Sequence, residues 1–160
     1  MKLAVLCVGR LKAGPERELF DRYAERAAAL GPSVGISGPQ FREFEDSRAR
    51  SADERRAAER KSLMEAAPGG AWICALDERG AAKTSAAWAE EIARARDGGV
   101  AAYNVVIGGP DGLSGDILRA ARSSVAFGAM TWPHQLVRVM AAEQIYRCLT
   151  ILAGHPYHRA

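Results

Sequence analysis

Residues 105–114 read VVIGGPDGLS, a short apolar run that ends abruptly in two glycines. Three apolar side chains before Gly108 suit a strand buried on both faces. Gly108 and Gly109 lack a Cβ, so the chain can turn sharply there and a ligand can come close to its amides. Pro110 fixes φ and removes a donor, Asp111-Gly112 is a turn pair, and Ser114 caps a helix running through Ala121. Two readings fit this stretch. One is an ordinary strand-to-helix turn. The other is a ligand loop at the carboxyl end of a parallel strand, where open α/β sheets bind small molecules.

Other groups with chemical potential are fewer. Gly9 and Gly14 bracket RLKA, but Pro15-Glu16 stand where a phosphate loop needs Lys-Ser/Thr. Cys7, Cys74 and Cys148 each sit in an apolar run and share no metal-ligand spacing, which reads as reduced structural thiols rather than a metal site or a nucleophile. No carboxylate pair, Ser–His–Asp order or metal cluster stands out. The net charge of +3 says little, whereas its distribution says more. From Ile117 onward, Arg119, Arg122, Arg138, Arg147 and Arg159 face a single acid, Glu143, and His134, His155 and His158 lie there too. A positive field confined to one region suggests an anionic partner, RNA foremost, with a solvated face as the alternative.

The elements that must position these groups alternate between strands and helices. Lys2 to Val8 is a first strand, and no cleavage pattern follows it, so it is not read as a signal peptide. Pro15 opens a helix carried by Leu19, Tyr23, Arg26, Ala27 and Leu30, and Gly31-Pro32 ends it. Residues 33–44 hint at a strand weakened by Gly35, Gly38 and Pro39. Arg48 to Ala67 is a charged, alanine-rich surface helix whose arginines pair with acids or, second, touch RNA. Ala71 to Leu76 is a strand followed by a loop, Asp77 to Gly80. Thr84 and Ser85 start a helix to Arg96, Val100 to Ile107 leads into the glycine loop, and Val125 to Phe127 forms a short fifth strand. Strands separated by such helices mean βαβ units and a mainly parallel sheet in one domain, residues 1–160. No apolar run reaches the roughly 20 residues of a membrane span, and a cytoplasmic location is expected.

Three segments carry a resemblance: IGGPDGL at 107–113, MTWPHQLVRVMAAEQIYR at 130–147 and HPYHR at 155–159. With KLAVLCVGRLK at the start, they resemble the ribosomal RNA large-subunit methyltransferase H family, of the SPOUT class, in the same order and at compatible spacing. The resemblance implies an α/β SPOUT domain with a deep C-terminal trefoil knot, working as a homodimer with no metal. It implies S-adenosylmethionine as methyl donor and N3 of a pseudouridine in 23S ribosomal RNA as acceptor, in the assembled ribosome. Carried onto matching positions, the cofactor residues are Leu76, Gly108 and Phe127, Gly128, Ala129, Met130, Thr131 and Trp132. Backbone groups there would read the ligand, so Gly108→Val is expected to fill its space while the fold survives. Asp111 replaces the family's usual glutamate or asparagine, and Trp132 its usual leucine or phenylalanine.

The last helix should open at Pro133, with Thr131 as cap. His134 and Arg138 share a face and are candidate RNA contacts, Arg138 equally a candidate interface residue. Glu143 and Arg147 share another face, at the spacing of a structural ion pair. Apolar residues elsewhere on this helix suggest burial against a core and a dimer partner. The match to the family gives the tail active-site roles: Tyr157 to stack on a base, His158 to accept the imide proton, Arg159 to hold phosphate. Two other functions compete: a SPOUT methyltransferase acting on transfer RNA, and a non-catalytic RNA-binding factor for ribosome assembly.

Overall fold

In a computed structural model of the chain, which describes residues 1–158, five parallel strands form one sheet in the order β2-β1-β4-β3-β5. The strands are β1 (Lys2–Val8), β2 (Ser37–Phe44), β3 (Trp72–Ala82), β4 (Ala102–Ile107) and β5 (Ser123–Ala126). The helices are α1 (Pro15–Leu30), α2 (Ala52–Ala66), α3 (Ser85–Asp97), α4 (Gly115–Ala120) and α5 (His134–Leu152). Every residue of β4 is buried, as expected of a central parallel strand covered on both faces.

The strand period of two assigns the helices to the faces. Leu3, Val5 and Cys7 point with Tyr103, Val105 and Ile107 into a core shared with Trp88, Ile92, Ile145 and Leu149, so α1, α3 and α5 cover that face. Leu6 and Val8 point the other way with Ile73, Ala75 and Val106, against Leu63 of α2 and Ile117 of α4. All three cysteines are buried and free. Burial pushes the Cys7 thiol up to about 12 and raises Cys74 and Cys148 as well, so none is a thiolate near neutrality.

One acid enters the first core. Glu91, 6% exposed, accepts hydrogen bonds from Lys83 (2.5 Å), Tyr103 (2.7 Å) and Ser123 (2.7 Å). Burial works against its ionisation, and these donors overcome it, holding the carboxyl below its usual range.

Several boundaries differ from the sequence expectations. The weak segment after α1 is a 3-10 turn, Gly31–Val34, and then β2. The surface helix begins at Ala52, because Ser51 accepts from the Glu54 amide while the Glu54 carboxylate accepts from the Ser51 amide, a capping box that stops the helix extending back to Arg48. The segment expected as a loop, Asp77 to Gly80, lies within β3 as an excursion: both Leu76 and Ala81 face Val125 in the register with β5. Gly80 is required there, since a Cβ would lie 2.7 Å from the Val125 backbone. Thr131 does not cap α5. Pro133 occupies the N-cap with no side-chain bond, because a proline so close to the helix fixes the turn without one. No helix among the described residues is long and apolar enough to cross a membrane.

Candidate functional site

Because β4, β3 and β5 are consecutive neighbours in a parallel sheet, the segments leaving their carboxyl ends lie side by side. Together they enclose a cavity of about 790 Å³, within the range of small-molecule sites. Its wall holds Leu76 to Arg79 from β3, the Gly108–Leu113 turn after β4 and most of the Val125–Val137 run after β5.

The turn after β4 is closed by the Gly112 amide donating to the Gly109 carbonyl at 2.9 Å. Gly112 has φ +77°, a conformation that favours glycine. At Gly108 the constraint is different. A Cβ there would stand 2.6 Å from the Gly112 carbonyl carbon and 2.8 Å from the Leu113 nitrogen. Its own turn leaves no room for a side chain. The expectation that a valine would fill ligand space and spare the fold is therefore corrected. The run after β5 is folded on itself, with the Trp132 indole donating to the Phe127 carbonyl at 3.2 Å. Gly128 turns it at φ +102°, with open space where a Cβ would be. Met130 and Trp132 are 73% and 40% exposed.

Of the expected cofactor residues, Leu76, Gly108, Phe127, Gly128, Met130, Thr131 and Trp132 all line this cavity, and His134 joins them. Ala129 lies in the same run but does not line it. The rim carries both signs, with Asp77, Glu78 and Asp111 near Arg56 and Arg79.

Arg138 is not an RNA contact. Its side chain is 1% exposed, and its guanidinium donates to the Val8 carbonyl and lies 3.4 Å from Glu43. It lies under the end of β1, where no phosphate reaches it. His134, four residues earlier, is exposed.

Tyr157 docks on α5. The Tyr157 hydroxyl donates to Glu143 (3.1 Å), its ring centroid is 4.8 Å from that of Tyr146, and Arg147 lies over it at 5.0 Å. Glu143 in turn accepts from Arg147 Nε at 2.9 Å, the ion pair expected from the spacing. Burial first, then hydrogen bonding with Tyr23 and the charge of Glu143, push the Tyr157 hydroxyl pKa up. Its ring is thus engaged by its own protomer and offers no open platform for a base. His158 is half-buried, and its Nδ1 has no hydrogen-bond partner among the described residues. Neither residue lines the cavity. Arg159 lies outside the described residues.

Residues 1–158 match a family model described as "Predicted SPOUT methyltransferase". The chain belongs to the SPOUT methyltransferase family. Over 159 residues, 99% of both chains, it is 55% identical to a protein of Methylocella silvestris named Ribosomal RNA large subunit methyltransferase H. The Nitrobacter winogradskyi protein of the same name matches at the same identity and coverage, and one from a Bradyrhizobium strain is 53% identical over the full length of both.

Enzymes of this family draw the methyl group from S-adenosylmethionine, and the cavity fits that molecule. It is large enough, its wall combines polar groups with apolar side chains such as Leu76, Phe127 and Met130, and charged residues of both signs line it, which suits a ligand carrying both ammonium and carboxylate. Two residues that shape this wall were not legible as such in the sequence. Arg55 and Glu59 read as members of a solvated, salt-bridged face, yet both turn toward the glycine loop. Ser51-x-x-Glu54, the capping box, is the signal that would have set the helix start and put these two residues, four apart, on one face.

Proposed function

We propose that this chain transfers a methyl group from S-adenosylmethionine to N3 of a pseudouridine in large-subunit ribosomal RNA, within the assembled ribosome. One observation carries the reading. The cavity at the carboxyl ends of β4, β3 and β5 gathers all but one of the residues matched to the family's cofactor loops, in a chain 55% identical along its length to proteins named as large-subunit ribosomal RNA methyltransferases.

The donor supplies a sulfonium-bound methyl group. Transfer of that group to the imide nitrogen would require the N3 proton to leave to an acceptor. Imide protons are fairly acidic, so the protein's main task is alignment. Leu76, the Gly108 turn and the Phe127–Trp132 run would hold the donor. His158 is the proposed proton acceptor, Tyr157 positions the tail, and Arg159 and His134 contact RNA.

The enzyme is proposed to act as a homodimer in the cytoplasm. Support for the dimer comes from Met130, Trp132, Leu136 and Leu19, which are exposed large hydrophobics, and from a second cavity of about 540 Å³ between α1, α3 and α5. The trefoil knot expected of the family is proposed with it. The run after β5 must cross from the sheet edge before α5 packs on α1 and α3.

The test is methyl transfer from labelled S-adenosylmethionine to ribosomes, separated subunits and transfer RNA, with the product nucleoside identified. Label in transfer RNA alone would favour the transfer-RNA enzyme. RNA binding without any transfer would favour an assembly factor.

A further inference from the structure

We propose that Arg55 and Asp111 form a positioning pair that sets the Gly109–Gly112 turn against the cofactor cavity. The proposal rests on the reading of that cavity as the S-adenosylmethionine site. The turn has few anchors of its own. It is closed by a single backbone bond, from Gly112 to Gly109, and Pro110 has no amide to donate. Yet residues 109–112 form one wall of the cavity.

What holds the turn from outside is α2. Arg55 grips the Asp111 carboxylate with two nitrogens, Nε at 2.6 Å and Nη2 at 3.0 Å, the fork geometry that fixes direction as well as distance. Its third nitrogen, Nη1, donates to the carbonyls of Ala49 and Arg50, both at 3.1 Å. One guanidinium thereby ties the turn after β4 to the loop that precedes α2. Arg56 adds a bond from Nη1 to the Asp111 carbonyl at 3.2 Å.

One helical turn on, Glu59 lies beneath Gly109. It is 5% exposed and accepts from the Ser47 amide at 3.2 Å. A Cβ on Gly109 would stand 3.2 Å from its carboxylate. The turn is thus seated on α2 by a bidentate bond at its tip and by a close fit at its base. The pair's side chains are 29% and 24% exposed, so it is neither a free surface bridge nor part of either core. Its geometric consequence falls on the cavity wall.

The experiment measures steady-state kinetics of methyl transfer to ribosomes and calorimetric binding of S-adenosylmethionine for Arg55→Ala, Arg55→Lys and Asp111→Asn. Melting temperatures are measured alongside. Arg55→Ala and Asp111→Asn should each raise KM and Kd for S-adenosylmethionine about tenfold, with kcat and the KM for ribosomes within about twofold. Arg55→Lys should recover part of the loss, since it keeps the charge without the fork. The double variant Arg55→Ala/Asp111→Asn should be no worse than either single one. Unchanged cofactor affinity in the folded variants would overturn the pair's role. So would losses in kcat, both KM values and melting temperature that move together, since a merely structural tie would produce them. A wild-type enzyme that binds no S-adenosylmethionine would instead sink the functional reading itself.

Discussion

Two carboxylates respond to burial in opposite ways, and the difference is the number of donors around them. Glu91 has three donors and is held below its usual pKa despite burial. Glu59 has one, the Ser47 amide, and its Oε2 has no partner among the described residues. Burial raises its pKa, the Ser47 amide only partly offsets this, and Asp46 and Asp111 add to the rise. A carboxyl whose pKa is raised on folding stabilises the fold fully below its unfolded value of about 4.3, and the contribution is lost as pH rises through the folded value. Glu59→Gln should therefore match or exceed the wild type in stability at pH 7 to 8 and lose that advantage near pH 4. Urea melts across pH check it, and a variant clearly less stable at pH 8 would refute it. Gly108→Ala should cost about 1–3 kcal/mol, as overpacking does, and should weaken S-adenosylmethionine binding in step. A variant of wild-type stability that merely fails to bind would mean the Cβ meets the ligand and not the turn.

Among the helices, α5 has the most to reconcile. Its broad apolar surface suggested two partners, a core and a second copy. A single protomer buries Val139, Ala141, Ala142, Ile145, Cys148 and Leu149 between α1, α3 and the sheet, leaving Leu136 exposed near its start. Arg138 anchors this packing from the inside. Arg138→Ala would leave the Val8 carbonyl without this donor, while Glu43 keeps its bonds from Arg17 and the Leu11 amide, so the cost should be about 1–3 kcal/mol. The salt dependence of RNA binding by the folded remainder should not change. A lower salt slope with intact stability would instead restore a phosphate contact. The tail beyond α5 tests another division of labour. Removing residues 157–160 deletes the Tyr157 contacts with Tyr146, Arg147 and Glu143, at a cost of about 1–2 kcal/mol. Cofactor affinity should persist, because Tyr157 and His158 do not line the cavity. Methyl transfer to ribosomes should be largely lost, and full-rate transfer by the truncated enzyme would remove the tail from the site.

Assembly is the remaining question for the molecule as a unit. Within one protomer Tyr157 lies on α5, by Glu143 and the second cavity, while the first cavity opens at the carboxyl ends of β4, β3 and β5. The exposed apolar side chains Met130 and Trp132 at the first cavity, Leu19 at the second and Leu136 on α5 need a cover. Sedimentation at micromolar concentration should give twice the 17.2 kDa of one chain. Trp132→Glu together with Leu136→Glu should shift it toward monomer, by placing charge in an apolar contact. A wild-type monomer under these conditions would contradict the dimer.

Local signals sufficed where a property depends on neighbours in the chain. Apolar runs of strand length, the Ser114 and Thr84 caps, and the Glu143–Arg147 spacing all form as the residues indicate, because each is settled within a few positions. The segments that line the cavity were legible through their resemblance to a family, since those short motifs are specific in combination. Three matters needed the folded chain. Arg138 and His134 share a helix face in spacing, yet one is buried and the other exposed, because β1 ends over only one of them. Gly108 is constrained by Gly112 and Leu113, a contact made only once the turn closes. Arg55 meets Asp111 across 56 positions of sequence, and no periodicity in either segment encodes that pairing. It exists because a parallel sheet carries β4 beside β1, with α2 packed over the same face.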